Sequence, residues 1–123
     1  MSDPITQLAL AERCEQAAGP DRVLDAEILC AIYGFTIHKE NRCVNSSSWD
    51  RLTGSLDAAV TLVPEGWIYE LGRGESGTSR ALCRMSDELG IWTGWAVAAT
   101  AALALCAAAL RARAAMAQPS SKT

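Results

Sequence analysis

The stretch best equipped for chemistry is Gly72-Arg73-Gly74-Glu75-Ser76-Gly77-Thr78-Ser79-Arg80. Glycines let backbone N–H groups approach an anion, hydroxyls add donors, and two arginines match phosphate oxygens. The run is not a Walker A loop: no Gly-Lys-Ser/Thr follows, and the next element reads as a strand rather than a helix. Without a ligand, the same glycines serve a hairpin connection and the arginines serve solubility. The four tryptophans extend the candidate site. Trp67 opens a strand and is expected in the core. Trp92 and Trp95 fall in one strand at odd spacing and so face opposite sides, one of them outward. Trp49 lies in an irregular loop. Exposed Trp beside Arg is the material of partner hot spots and base-stacking pockets. The candidate ligand-binding residues are therefore Arg73, Arg80, Ser76, Thr78, Trp49, Trp92 and Trp95. The competing role for the tryptophans is to cover the sheet.

Other reactive residues read as structural. His38 is the one histidine, and its spacing to Cys43 and Asp50 matches no zinc pattern and no Cys-His or Ser-His-Asp arrangement built on ordered elements. Asp21, Arg22 and Asp25 stand at a helix start, where capping and a local ion pair are the expected roles. Asp57 is the same case. The expectation is of no catalytic site, no metal and no cofactor: a protein that binds rather than an enzyme.

The elements that position these residues follow from local signals. Asp3-Pro4 starts a helix in which Ile5, Leu8, Ala9, Ala11 and Cys14 recur at helical spacing. Gly19-Pro20 stops it. Asp21 caps a second helix with Val23, Leu24, Ile28, Leu29 and Ala31 as its buried side, so the pair reads as a helical hairpin. Residues 35–54 show no period and contain Asn45-Ser46-Ser47-Ser48; irregular stretches this long are often functional. Ser55 caps a short helix, Leu56–Leu62. Trp67–Leu71 alternate as a strand with Trp67, Tyr69 and Leu71 on one face. Arg80–Met85 return, and Ile91–Val97 form a third strand. Thr100 caps a last helix carrying Leu103, Cys106 and Leu110 on one stripe. The order α-α-α-β-β-β-α predicts a three-stranded antiparallel meander with helices on its faces. One domain over residues 1–117 and a frayed tail over 118–123 are expected.

Composition bounds the remaining choices. The chain has 123 residues, half of them hydrophobic, and a net charge of −3. Its length supports one core without staples. Acids cluster early (Asp3, Glu12, Glu15, Asp21, Asp25, Glu27), and no basic stripe appears, which argues against duplex DNA as a partner. Five cysteines, an odd number without a CxxC pair, fit buried free thiols in a reducing cytosol. No signal-peptide pattern opens the chain. Residues 91–110 are uncharged, but they are mainly Ala and divide at Thr100 into strand and helix, so a membrane span is not expected.

Three stretches resemble a family of phage-encoded proteins, the phage ABA-sandwich domain: LAERCEQAAGPDRVLDAEILCAI (10–32), TGSLDAAVTLVPEGW (53–67) and TAALALCAAALRARAA (100–115). The GPDR-x-LDAEI turn and the SLDAA-x-x-LVPEGW junction are the specific wording. The family often has Pro after the capping Thr, where Ala101 stands here. The resemblance implies an α/β/α layered sandwich, a phage origin and a place in the cytoplasm of an infected bacterial host; it carries over no active site. From that context comes the expectation of a counter-defence accessory protein. It would sequester a nucleotide signal or occlude a host defence protein, as a homo-oligomer without membrane attachment. The alternative is a protein–protein module or virion-associated structural accessory.

Overall fold

The computed structural model describes residues 4–33, 52–64, 66–85 and 94–117. Helices α1 (Pro4–Gln16) and α2 (Arg22–Tyr33) come first, then a short α3 (Leu56–Val60). Strands β1 (Trp67–Arg73), β2 (Ser79–Met85) and β3 (Gly94–Ala98) follow, and α4 (Ala101–Ala117) closes the chain. The three strands form one antiparallel sheet in the order β1-β2-β3. This is the expected mixed α+β fold, with helices flanking a three-stranded meander.

The caps act as their sequence positions require. Asp21 Oδ1 accepts from the N–H groups of Val23 (3.0 Å) and Leu24 (3.1 Å), Ser55 Oγ from Ala58 N–H, and Thr100 Oγ1 from Leu103 N–H. Each satisfies an amide that the first helical turn leaves without a partner. Asp25 does something else. It is buried, and its Oδ1 accepts from both the N–H and the hydroxyl of Thr53, each at 2.7 Å. The Thr53 hydroxyl in turn accepts from Asp21 N–H at 2.8 Å. This network fastens the start of α2 to the turn before α3. Leu52 and Thr53, at the end of the stretch read as irregular, are thus part of the core.

Helix α4 is the centre of the packing. Every residue from Ala102 to Leu110 is buried, not the single stripe expected of a surface helix. A helix apolar all round belongs inside, and alanines make that possible by letting neighbours approach closely. One side of α4 lies under the Ala81, Cys83, Gly94, Ala96 and Ala98 face of β2 and β3; other sides meet α1 and α3, and only its margin reaches β1. At Gly94 the approach is so tight that a Cβ would stand 2.3 Å from Ala108 O and 2.8 Å from Ala112 N. The buried Leu103, Leu105 and Leu110 each contribute about 1.5–3 kcal/mol of apolar burial.

Two helix faces differ from expectation. On α1 the buried row is Gln7, Leu10, Ala11 and Cys14, while Ile5, Leu8 and Ala9 are exposed. Helix α1 meets α4 along the Leu10–Cys14 side, so Ile5 falls outside the contact. On α2, Leu24, Ile28 and Leu29 are buried as expected, but Val23 is exposed and Cys30 is an exposed thiol. Cys14, Cys83 and Cys106 are buried and free; burial pushes the Cys83 thiol up to about 11. An ion pair between Arg13 of α1 and Glu27 of α2 closes the helical hairpin. No described helix is long and apolar enough to cross a membrane.

Candidate functional site

The β1–β2 connection is where the sequence-derived site can be examined. Strand register sets Gly72 opposite Arg80 and Arg73 opposite Ser79. Beyond them the chain turns through Glu75–Gly77. Ser76 takes the left-handed conformation (φ 58°, ψ 36°) and Gly77 follows with φ 80°. Two consecutive positive φ values make a turn of the I′ kind, whose twist matches that of the flanking strands. Glycine adopts it freely; for Ser76 it costs on the order of 1 kcal/mol. The turn is held by Thr78 N–H to Glu75 O (3.1 Å), Gly74 N–H to Thr78 O (2.9 Å) and Thr78 Oγ1 to Glu75 O (2.7 Å). A Cβ on Gly74 would lie 2.3 Å from Thr78 Oγ1, so that hydroxyl keeps its seat only beside a glycine.

This hydrogen-bonded turn borders an open pocket of about 350 Å³ lined by Arg73, Gly74, Gly77, Thr78 and Ser79. Arg73 and Thr78 are thus brought together as the sequence suggests. Ser79 and the two glycines join them, and Ser76 stands exposed at the tip. Arg80 is not in this group. Alternation along β2 sends it to the opposite face, where its guanidinium lies over Gly72, with nitrogens 3.6 and 3.7 Å from the position a Cβ would take there. Trp95 is 57% exposed. It pairs with Leu82 while Val97 pairs with Arg80, so Trp95 and Arg80 share that outer face as diagonal cross-strand neighbours. The expected single site is therefore two: Arg73 with hydroxyls and glycine backbone in the pocket, and Arg80 with Trp95 on the outer face. Trp49 and Trp92 lie outside the described residues, as do His38, Cys43 and Asp50. Trp67 is half-buried against the core.

The arginines of the scaffold are used differently. Arg111 makes a two-pronged ion pair with Glu15 (2.7 and 2.8 Å) and also donates to Trp95 O (2.9 Å), while Glu15 accepts from Val97 N–H (3.2 Å). The hydrogen-bonded Arg111 guanidinium holds the Glu15 carboxyl below its ordinary range, against the opposing pull of partial burial. Arg113 donates to Leu62 O at 2.7 Å, and Arg13 is paired with Glu27. Among the described residues, Arg73 and Arg80 have no such partners, and no group of three potential metal ligands is present.

Ser79 was absent from the residues singled out by type, although it belongs to the same hydroxyl-rich run. The exposure of Tyr69 and Leu71 on β1 had no local signal, because it depends on where α4 lies. In comparisons with known proteins, the chain matches no family model, no curated protein and no solved structure.

Proposed function

We propose that this is a binding protein whose β1–β2 pocket takes a phosphate-bearing ligand. The observation that carries the reading is the contrast among arginines. Arg13, Arg111 and Arg113 are each engaged within the fold, whereas Arg73 is exposed beside Ser79, Thr78 and two glycines at a preformed pocket. An arginine fork beside the Ser79 hydroxyl suits a phosphate. The Thr78 hydroxyl and the Gly74 and Thr78 N–H groups are spent within the turn and hold its shape, which reduces the ordering cost of binding. The Arg80 and Trp95 face offers a second cation and an aromatic surface for a base.

A nucleotide is the ligand class that uses both features. Together with the resemblance to phage proteins, this supports sequestration of a nucleotide signal as a counter-defence role in an infected bacterium. Isothermal titration with inorganic phosphate, ADP-ribose and cyclic oligonucleotides tests it: saturable heat that Arg73→Ala abolishes is expected, and no heat for any of them sinks the reading. The alternative, a protein–protein module that occludes a defence protein or belongs to the virion, draws on Ile5, 77% exposed on α1 with Leu8 one turn away. Loss of a host-protein complex on Ile5→Asp, with the titrations silent, favours it.

A further inference from the structure

The two edges of the sheet are finished differently. At β3 the outward C=O of Trp95 and N–H of Val97 are both taken by the Arg111–Glu15 pair. At β1 the ladder leaves a row open. The bond from Gly74 N–H to Thr78 O fixes which pairs exchange hydrogen bonds with β2, namely Gly72–Arg80 and Glu70–Leu82. The N–H and C=O groups of Tyr69, Leu71 and Arg73 then point away from the sheet. Trp67, in the same row, has its N–H taken by Pro64 O at 3.1 Å; among the described residues, nothing pairs with the next three. Side chains match this openness: Tyr69 and Leu71 are 38% and 39% exposed, beyond the margin of α4. β1 has no Lys, no Pro and no bulge in its ladder, and its two charged side chains, Glu70 and Arg73, are ones that a matching strand can answer.

We propose that β1 pairs antiparallel with β1 of a second copy of this chain, about a two-fold axis at Leu71, making one continuous sheet. The side chains select that register. It sets Leu71 against its own counterpart and Tyr69 against Arg73 of the partner subunit, an aromatic–guanidinium contact made twice. It also sets Glu70 opposite Gly72 of the partner subunit, the residue across which Arg80 lies. Directly opposed strand residues stand about 4.5–5.5 Å apart, so each Glu70 carboxyl meets an Arg80 guanidinium across the interface. Centring the pair on Glu70 would oppose two carboxylates, and centring it on Tyr69 would oppose Glu70 to Ile68. The open row of backbone groups is satisfied in the same step, because the Leu71 pair and both Tyr69–Arg73 pairs are the hydrogen-bonded ones. The Leu71 and Glu70–Arg80 contacts use no pocket residue, whereas Arg73 both lines the pocket and faces Tyr69 of the partner subunit.

Sedimentation equilibrium of the full chain tests it, with circular dichroism to verify that each variant is folded. The wild type is expected to dimerise. Glu70→Arg and Arg80→Glu each place like charges across the interface and should raise the dissociation constant on the order of tenfold or more. An equimolar mixture of these two variants should form a heterodimer, since every opposed pair regains opposite signs. Leu71→Lys, at an exposed position, should give a folded monomer. A wild-type chain that stays monomeric to millimolar concentration overturns the proposal. So does a dimer indifferent to all three substitutions, or a mixture no more associated than its components.

Discussion

The helical half of this molecule and its β1–β2 hairpin are built to opposite rules. Around α4, apolar side chains are enclosed from Ala102 to Leu110, the buried Asp25 is bonded to Thr53, and the described arginines are engaged. In the hairpin, Arg73 and Arg80 carry no ion pair among the described residues, Tyr69 and Leu71 are exposed, and a serine sits in a left-handed turn. Enclosure and pairing produce stability. Exposed cations and unpaired edges contribute little to it, and persist where something outside the chain uses them. The edges of the sheet repeat the contrast on a smaller scale, one sealed by Arg111 and Glu15, the other unpaired among the described residues.

Glycine substitution breaks the comparison most sharply. Gly94→Ala puts a Cβ into the backbone of α4, which cannot swing aside, and should destabilise the fold by about 3 kcal/mol or more. Gly72→Ala in the hairpin meets only the Arg80 side chain at ordinary contact distance and should cost less than about 0.5 kcal/mol. Chemical denaturation of both variants checks the pair. Next in size is Asp25→Ala, which leaves the buried N–H of Thr53 without its acceptor and the hydroxyl with only Asp21 O, at 3.2 Å. About 2–3 kcal/mol should be lost, with Asp25→Asn recovering part of it.

A smaller effect is expected at the sealed edge. Arg111→Ala should cost about 1 kcal/mol, because the pair is partly solvated. The loss should depend on pH with a definite sign. Glu15 has a lowered carboxyl pKa in the fold, so its stabilisation is complete above the unfolded value near 4.5 and vanishes as pH falls through the lower folded value. The stability gap between wild type and Arg111→Ala should therefore be constant near neutrality and close below about pH 4.5. A gap that widens in acid would show that Arg111 acts through something other than Glu15.

Much of the scaffold was legible because it is written locally. Asp21, Ser55 and Thr100 are caps whose side chains need only the next turn, and the hairpin follows from an alternating strand and a Gly-rich return. The burial of α4 on all sides was harder to read. Its alanines look like a weak stripe until both the sheet and α1 are known to press against it. Ile5 and Val23 misled for the same reason, since helical spacing gives a face but not which face a neighbour takes. At the site, Arg73 and Thr78 were found by residue type. The separation of Arg73 from Arg80 follows from strand alternation and register, which the glycine run obscured. Asp25 looked like a cap because its bond to Thr53 spans a long segment of chain.

The smallest change in stability should accompany the largest change in binding. Arg73→Ala should shift unfolding by less than about 0.5 kcal/mol, since nothing described in the fold relies on that guanidinium. Isothermal titration of wild type and this variant, side by side, against ADP-ribose and cyclic oligonucleotides is the most direct trial. Saturable binding by the wild type, abolished in an equally stable Arg73→Ala protein, is the result this account predicts. Binding that survives the substitution, or no binding by either protein, would contradict it.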